Sequence, residues 1–212
     1  MKPLQPTRIV IFAKAPLPGL AKTRLIPALG VQGAADLARW LLAYTLSKAL
    51  SARLGPVELC VTPSAADPVW ETLAINDTVQ WSDQGEGDLG ERMARAALRV
   101  LEGGESALLI GTDCPDLSPA HLRHAAAALG QADAAFIPAL DGGYALLGLK
   151  RFHASLFAGI AWSTDGVAVE TLSRLQQLGW TVQSQPKLHD IDEPTDLQCL
   201  PWECKRHLRH DD

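Results

Sequence analysis

The amino-acid sequence predicts an α/β fold, a mostly parallel sheet with helices on both faces, and three observations lead there. Short apolar runs rich in β-branched residues alternate with stretches of helical periodicity. Glycine- and proline-containing loops follow several of those runs. The composition, 47% hydrophobic and 20% charged over 212 residues, supplies one buried sheet and lacks the polar excess of a disordered chain.

Arg8–Ala13 reads as a buried first strand. Apolar residues from Leu37 to Leu50 recur at helical spacing, predicting a helix over 32–53 that Gly55-Pro56 closes. Val57–Val61 is the next strand, Asp67 opens a short helix with Pro68 at its first position, and Val79–Trp81 forms a third strand. Glu91–Leu101 is a helix of strong formers after the turn-rich Gly85–Gly90. Ala107–Ile110 is the clearest central strand, and Ser118-Pro119 starts the helix behind it. Asp133–Pro138 and Tyr144–Leu149 read as neighbouring strands, 165–178 as a helix and Trp180–Gln185 as the last strand. Residues 1–204 are expected to form one domain, with 205–212 a polar, solvated tail carrying His207 and His210.

The net charge of −5 opposes a general nucleic-acid binder, which needs a broad basic face. No apolar run approaches the roughly 20 residues of a membrane span, and the N-terminus has no charged-then-apolar leader, so a cytoplasmic protein is expected. Oligomeric state stays open. The spacing of Cys60, Cys114, Cys199 and Cys204 matches neither a zinc ribbon nor a redox pair, and Cys114 reads as a packing residue.

In parallel sheets ligands collect where loops leave the strands' carboxyl ends. The first such loop, Lys14 to Arg24, carries Lys14, Lys22 and Arg24 around Pro18 and Gly19, a turn suited to phosphate. It is not a P-loop, because Pro16 and Ala21 stand where glycines are required. The second, Gly111-Thr-Asp-Cys-Pro-Asp116, offers Asp113 as ligand for a hard cation, with Asp116 either sharing that role or capping the next helix. A third cluster holds Asp190 and Asp192, of which one is expected to approach the metal, and Asp192 is favoured as that ligand. Asp192 or Thr195 also suits a helix cap. Gly87 and Asp88 are candidates for contact with a base or sugar, and Asp141, Gly142, Gly143 and Tyr144 for an acceptor. Trp162-Ser-Thr164 is a weaker substrate contact.

Phe12–Leu25, Gly87–Met93, Ile110–Leu117, Asp141–Tyr144 and Asp190–Leu197, in that order, resemble the motifs of a bacterial branch of GT-A-fold glycosyltransferase-like proteins. Their superfamily also contains phospholactate and molybdenum-cofactor guanylyltransferases. The resemblance implies a Rossmann-like nucleotide-diphospho-sugar transferase fold. It also implies a phosphate-binding loop with Lys14, Lys22 and Arg24, a metal-binding Asp113 and a late acidic Asp192. Asp113 departs from a full D-x-D, since Cys114-Pro115 follows. A transferase dependent on Mg²⁺ or Mn²⁺ is expected, acting on a nucleotide-sugar donor and a small acceptor, with Lys22 and Asp141 as catalytic candidates. Nucleotidyl transfer from a triphosphate to a phosphorylated acceptor is the second expectation, and a non-catalytic nucleotide-binding module the third.

Overall fold

A computed structural model describes residues 6–207, so His210 and the end of the expected tail lie outside the described residues. Seven strands form one sheet: β1 (Thr7–Lys14), β2 (Val57–Thr62), β3 (Gln80–Asp83), β4 (Ser106–Ile110), β5 (Ala134–Pro138), β6 (Tyr144–Leu149) and β7 (Val182–Ser184). Their order is β3-β2-β1-β4-β6-β5-β7. β1 pairs in parallel with β2 and β4, β2 with β3 and β5 with β7, while β6 runs antiparallel to β4 and β5. The expected α/β architecture is therefore present, with one reversed strand inside it.

The helices are α1 (Ile26–Ala52), α2 (Leu89–Glu102), α3 (Pro119–Ala128), α4 (Val167–Gln177) and α5 (Trp202–His207). The period of two in the strands divides the core. Ile9, Ile11, Leu108 and Ile110 pack with α1 and α3 on one face, and Val10, Leu109, Phe136 and Leu147 with α2 and α4 on the other. α2 shows how its sequence sets this: Met93, Ala96, Ala97 and Val100 make one buried stripe at helical spacing. Its N-terminus is fixed by a capping box in which the Asp88 carboxylate accepts from the Glu91 N–H at 2.8 Å and Glu91 accepts from the Asp88 N–H at 2.9 Å.

Three boundaries differ from the sequence expectation. α1 begins six residues earlier than position 32, because Pro27 suits a first turn and Gly30, at φ 72° and ψ 171°, kinks the helix there. β3 is shifted toward Asp83, whose carboxylate accepts from the Ala65 N–H at 2.7 Å. α5 spans the expected boundary at residue 204, since Cys204 is buried with Leu25, Leu37, Leu41 and Ile191. Among the described residues no helix is long and apolar enough to cross a membrane.

At the opposite edge of the sheet from the loops treated below, Glu58 is 2% exposed and takes ion pairs from Arg8 at 3.2 Å and from Arg99. Burial alone would raise its pKa, but hydrogen bonds from Arg99 and Ser82 and the charges of Arg99 and Arg8 hold the carboxyl below its ordinary value. A depressed pKa means that the folded state binds the proton less tightly than the unfolded one. The stabilisation is thus complete above the unfolded value and is lost as pH falls through the folded one. Glu58→Gln is expected to cost on the order of 2 kcal/mol in urea unfolding at pH 7. The difference from the unsubstituted protein should shrink as pH falls below the ordinary glutamate value of 4.5.

Candidate functional site

The chain runs outward from β1 to β2 and β3, then returns to place β4 on the other side of β1. That reversal opens a crevice at the carboxyl ends of β1 and β4. Because β6 is reversed, its amino end joins them: Ile110 of β4 pairs with Leu146, just after Tyr144. β5 and β7 deliver their carboxyl ends to the same edge, where Ala139 bridges to Leu188. The loops holding Lys14, Asp113, Asp141 and Asp192 thereby converge.

The first loop turns on Gly19, at φ 77°, and on Lys22, a non-glycine residue in the left-handed region at φ 47° and ψ 43°. Leu25, fully buried, anchors the short 3₁₀ turn that follows. This turn sends the Lys22 side chain inward, where it is 9% exposed. Its Nζ lies 2.6 Å from Asp113 Oδ1, 2.7 Å from Asp192 Oδ1 and 2.6 Å from the Ile191 carbonyl oxygen, an acceptor for each of an ammonium's three hydrogens. Burial would lower its pKa, but the Asp113 and Asp192 carboxylates outweigh burial and raise it, so Lys22 stays charged. The Ile191 N–H donates to the Asp113 carbonyl at 2.9 Å, tying two of these three segments through the backbone as well. Lys22 thus serves the carboxylates here, whereas Lys14 and Arg24 are exposed.

A cavity of about 720 Å³ opens over this arrangement, lined by Lys14, Lys22, Arg24, Gln84, Arg92 and Asp192 among others. Pro18, Gly19, Gly87 and Asp88 are not among its lining residues. Asp88 is engaged as the cap of α2, and the Gly87 carbonyl accepts from Arg92 Nε at 2.9 Å, holding that guanidinium. Gln84 and Arg92 escaped the sequence reading. Gln84 is buried and donates to the Ala13 and Cys60 carbonyls, so its place follows from the sheet edge rather than from any motif.

Asp141, Asp190 and Asp192 each bring a carboxylate oxygen into a group whose members lie within 4.8 Å of one another. Asp190 therefore joins Asp192 at the site, where Asp192 alone was expected: residues two apart on an extended chain share a face, and Ile191 is drawn into the core between them, with Asp190 itself 8% exposed. Burial, then the Asp141 charge, raise the Asp190 pKa. Three crowded hard oxygens with this mutual repulsion fit a divalent cation such as Mg²⁺ or Mn²⁺. Asp113 stands beside the group, paired with Lys22. Capping falls to other residues: Asp196 reaches back to the Asp192 and Glu193 N–H groups, and Ser118 rather than Asp116 caps α3. The Cys114 thiol is buried, and burial with the nearby Asp116 charge pushes its pKa up to about 12, so it is a packing group.

Gly142, at φ 91°, touches the first turn before α4, and a Cβ there would overlap the Asp165 backbone. The Gly142 carbonyl accepts from the Ala168 N–H at 2.8 Å, and Asp141 Oδ1 accepts from the Gly143 N–H at 2.7 Å. Tyr144 packs on Phe136 at 5.3 Å between ring centroids, and its hydroxyl faces the Met93 sulfur at 3.6 Å. Burial raises the phenol's pKa above its ordinary value. A second cavity of about 280 Å³ lies here, with Gly143, Tyr144, Trp162, Ser163 and Thr164 in its wall.

A bacterial family profile described as "Uncharacterized protein conserved in bacteria (DUF2064)" matches residues 45–164. A solved structure from Desulfovibrio desulfuricans G20, of a protein provisionally named a nucleotide-diphospho-sugar transferase, is 31% identical with a TM-score of 0.82. That similarity covers 89% of this chain and 83% of the other. Two further solved structures share the fold. A nucleotidyl transferase from Methanothermobacter thermautotrophicus is 20% identical with a TM-score of 0.60, over 97% of this chain and 99% of that one. Rv0371c from Mycobacterium tuberculosis H37Rv, in complex with manganese, is 17% identical with a TM-score of 0.55, over 97% and 98%. No curated protein matches in sequence. The profile spans more than half of the chain and the 31% identical relative nearly all of it, so the protein belongs to this conserved bacterial family, on a Rossmann-like nucleotide-transferase fold.

Proposed function

We propose that the protein is a metal-dependent transferase that takes a nucleotide-sugar donor and passes the sugar to a small-molecule acceptor. The single observation that carries this reading is the adjacency of a cation-lined cavity and the Asp141, Asp190 and Asp192 carboxylates at the switch point of the sheet. The relative named a nucleotide-diphospho-sugar transferase supports the choice of donor, and the manganese held by Rv0371c supports the metal.

In this reading Lys14, Arg24 and Arg92 meet the donor's diphosphate, while the loop through Pro18 and Gly19 and the turn through Gly87 and Asp88 shape the cavity around it. Asp190 and Asp192 would hold Mg²⁺ or Mn²⁺ beside the donor's phosphates. Lys22 turning from Asp113 toward those phosphates would leave Asp113 free to join them. A bound divalent ion would supply charge neutralisation for the leaving diphosphate. The acceptor hydroxyl oxygen bonds to the anomeric carbon, the bond from that carbon to the phosphate oxygen breaks, and the nucleoside diphosphate leaves with the electron pair. The hydroxyl proton passes to Asp141, which lines both cavities, while Gly142, Gly143 and Tyr144 form the acceptor's side.

Nucleotidyl transfer is the second reading, favoured by four cationic side chains in the larger cavity, Lys14, Lys22, Arg24 and Arg92. There an acceptor phosphate oxygen attacks the α-phosphorus and pyrophosphate leaves. A non-catalytic nucleotide-binding module would use the same cavity without turnover.

Thermal unfolding separates these readings. Nucleotide sugars with Mn²⁺ are expected to raise Tm by about 5–11 °C, as ligand at some hundred times Kd does for a chain of this size. A preference for triphosphates supports nucleotidyl transfer instead. Asp190→Asn and Asp192→Asn should each abolish the Mn²⁺-dependent part of the shift, and a full shift retained in Asp192→Asn would sink the metal assignment. Asp141→Asn is expected to lower kcat about 100-fold or more with donor binding kept, the loss typical of a missing general base. Lys14→Ala should raise the donor KM roughly tenfold through one lost charge-assisted contact, measured by steady-state kinetics. Nucleotide affinity that neither Mn²⁺ nor Mg²⁺ raises and that Asp113→Ala leaves unchanged, with no turnover, would favour the module.

A further inference from the structure

The two cavities meet at Phe12, Leu89, Gly111, Asp113 and Asp141 but differ in chemistry. The smaller one is walled by Met93, Leu109, Tyr144, Trp162 and Val167, and its charged lining residues are Asp113 and Asp141, with no Lys, Arg or His among the described residues. Of its remaining polar groups, Ser163 is exposed at the rim shared with the larger cavity and Trp162 Nε1 is buried in the wall without a hydrogen-bond partner, while two others are engaged. The Tyr144 hydroxyl faces the Met93 sulfur, and Thr164 Oγ1 donates to the Ala161 carbonyl at 2.8 Å. The nearest cation, Lys22, has its hydrogens directed at Asp113, Asp192 and Ile191. What this cavity offers a ligand is therefore an apolar wall and, at its mouth, carboxylate oxygens that accept hydrogen bonds.

We infer that the smaller cavity takes an uncharged acceptor with a ring-sized apolar body and a hydroxyl group directed at Asp141. The inference rests on the transferase reading for the word acceptor, and on the cavity alone for the chemistry. A hydroxyl donates to a carboxylate, whereas a phosphate monoester brings acceptor oxygens and negative charge against Asp113 and Asp141 with no cation in the wall to receive them. A polyhydroxylated sugar would need several polar partners where the wall supplies sulfur, aliphatic and aromatic carbon. The size is suitable: a cavity of about 150 Å³ holds a benzene ring, and this one measures about 280 Å³. The same features disfavour a phosphorylated acceptor, so they bear on which of the two transfer chemistries the site performs.

The test compares 2-phenylethanol, 2-phenylethyl phosphate and glucose by saturation-transfer NMR and competitive titration on the full chain, with and without Mn²⁺ and a nucleoside diphosphate. The expected result is ring-proton transfer from 2-phenylethanol and an affinity at least tenfold above both other probes in either condition. Equal or tighter binding of the phosphate or of glucose overturns the inference, as does binding of none of the three. Leu89 is 42% exposed at the shared rim, so Leu89→Lys is compatible with folding. It should narrow the preference for the alcohol over the phosphate at least tenfold, and an unchanged preference in a variant with an unchanged melting temperature places the ligand elsewhere and overturns the assignment. Nucleoside diphosphate binding, measured in the same samples, is decided separately. Its absence beside retained alcohol selectivity counts against the transferase reading alone, and its presence without alcohol selectivity counts against this inference alone.

Discussion

The Lys22 ammonium is the point through which three distant parts of the chain become one site. It lies between Asp113 and Asp192 and beneath the Ile191 carbonyl, joining the loop after β1, the loop after β4 and the segment after β7. Removing this cation would leave two part-exposed carboxylates close together without a counterion, an arrangement that their mutual repulsion disfavours. Its left-handed backbone is part of the device, since that conformation turns the side chain off the outward course of the loop and into the crevice. The same requirement explains why the site's carboxylates can gather at all: like charges tolerate proximity when a cation, from the protein or from solution, lies among them.

Around this point the electrostatics are graded. Lys14 and Arg24 face solvent in the larger cavity, Lys22 lies at the floor, and the charged residues lining the second cavity are carboxylates alone. Such a gradient sorts anionic from uncharged ligands before any shape is matched. The glycine at position 142 adds a mechanical element. Its backbone touches Asp165 and accepts a bond from Ala168, so the acidic loop and the start of α4 hold a common position.

Much of the fold was legible from the chain because its strands are short apolar runs and its helices are capped by Asp67, Asp88 and Ser118 at recognisable spacings. The loops were legible as places. The reversal of β6 was not, since antiparallel and parallel pairing leave similar patterns in a strand buried on both faces. Nor was the role of Asp190, because which side of this segment faces the crevice is set by Ile191, whose packing beside Leu25, Leu37 and Leu41 is a tertiary demand that turns both flanking carboxylates the other way. Lys22 could be read as a cation near phosphate, but its pairing with residues 91 and 170 positions away belongs to the folded state alone. Gln84 carries no motif, and Arg92, inside the Gly87–Met93 motif, was given no role there; the sheet edge and the Gly87 carbonyl bring them to the cavity.

The reversal of β6 has a further effect. Residues 139–143 form a tight hairpin whose two legs are both pinned by sheet bonds, with Ala139 N–H donating to the Gly143 carbonyl at 3.0 Å. Asp141 therefore sits on a tip with almost no lever arm. The wall opposite, from Lys14 to Arg24, is an eleven-residue excursion tethered chiefly at Lys22 and Leu25. The Asp141 carboxylate thus owes its place to the sheet itself, whereas the Lys22 ammonium opposite owes its place to the side chains and the carbonyl it meets.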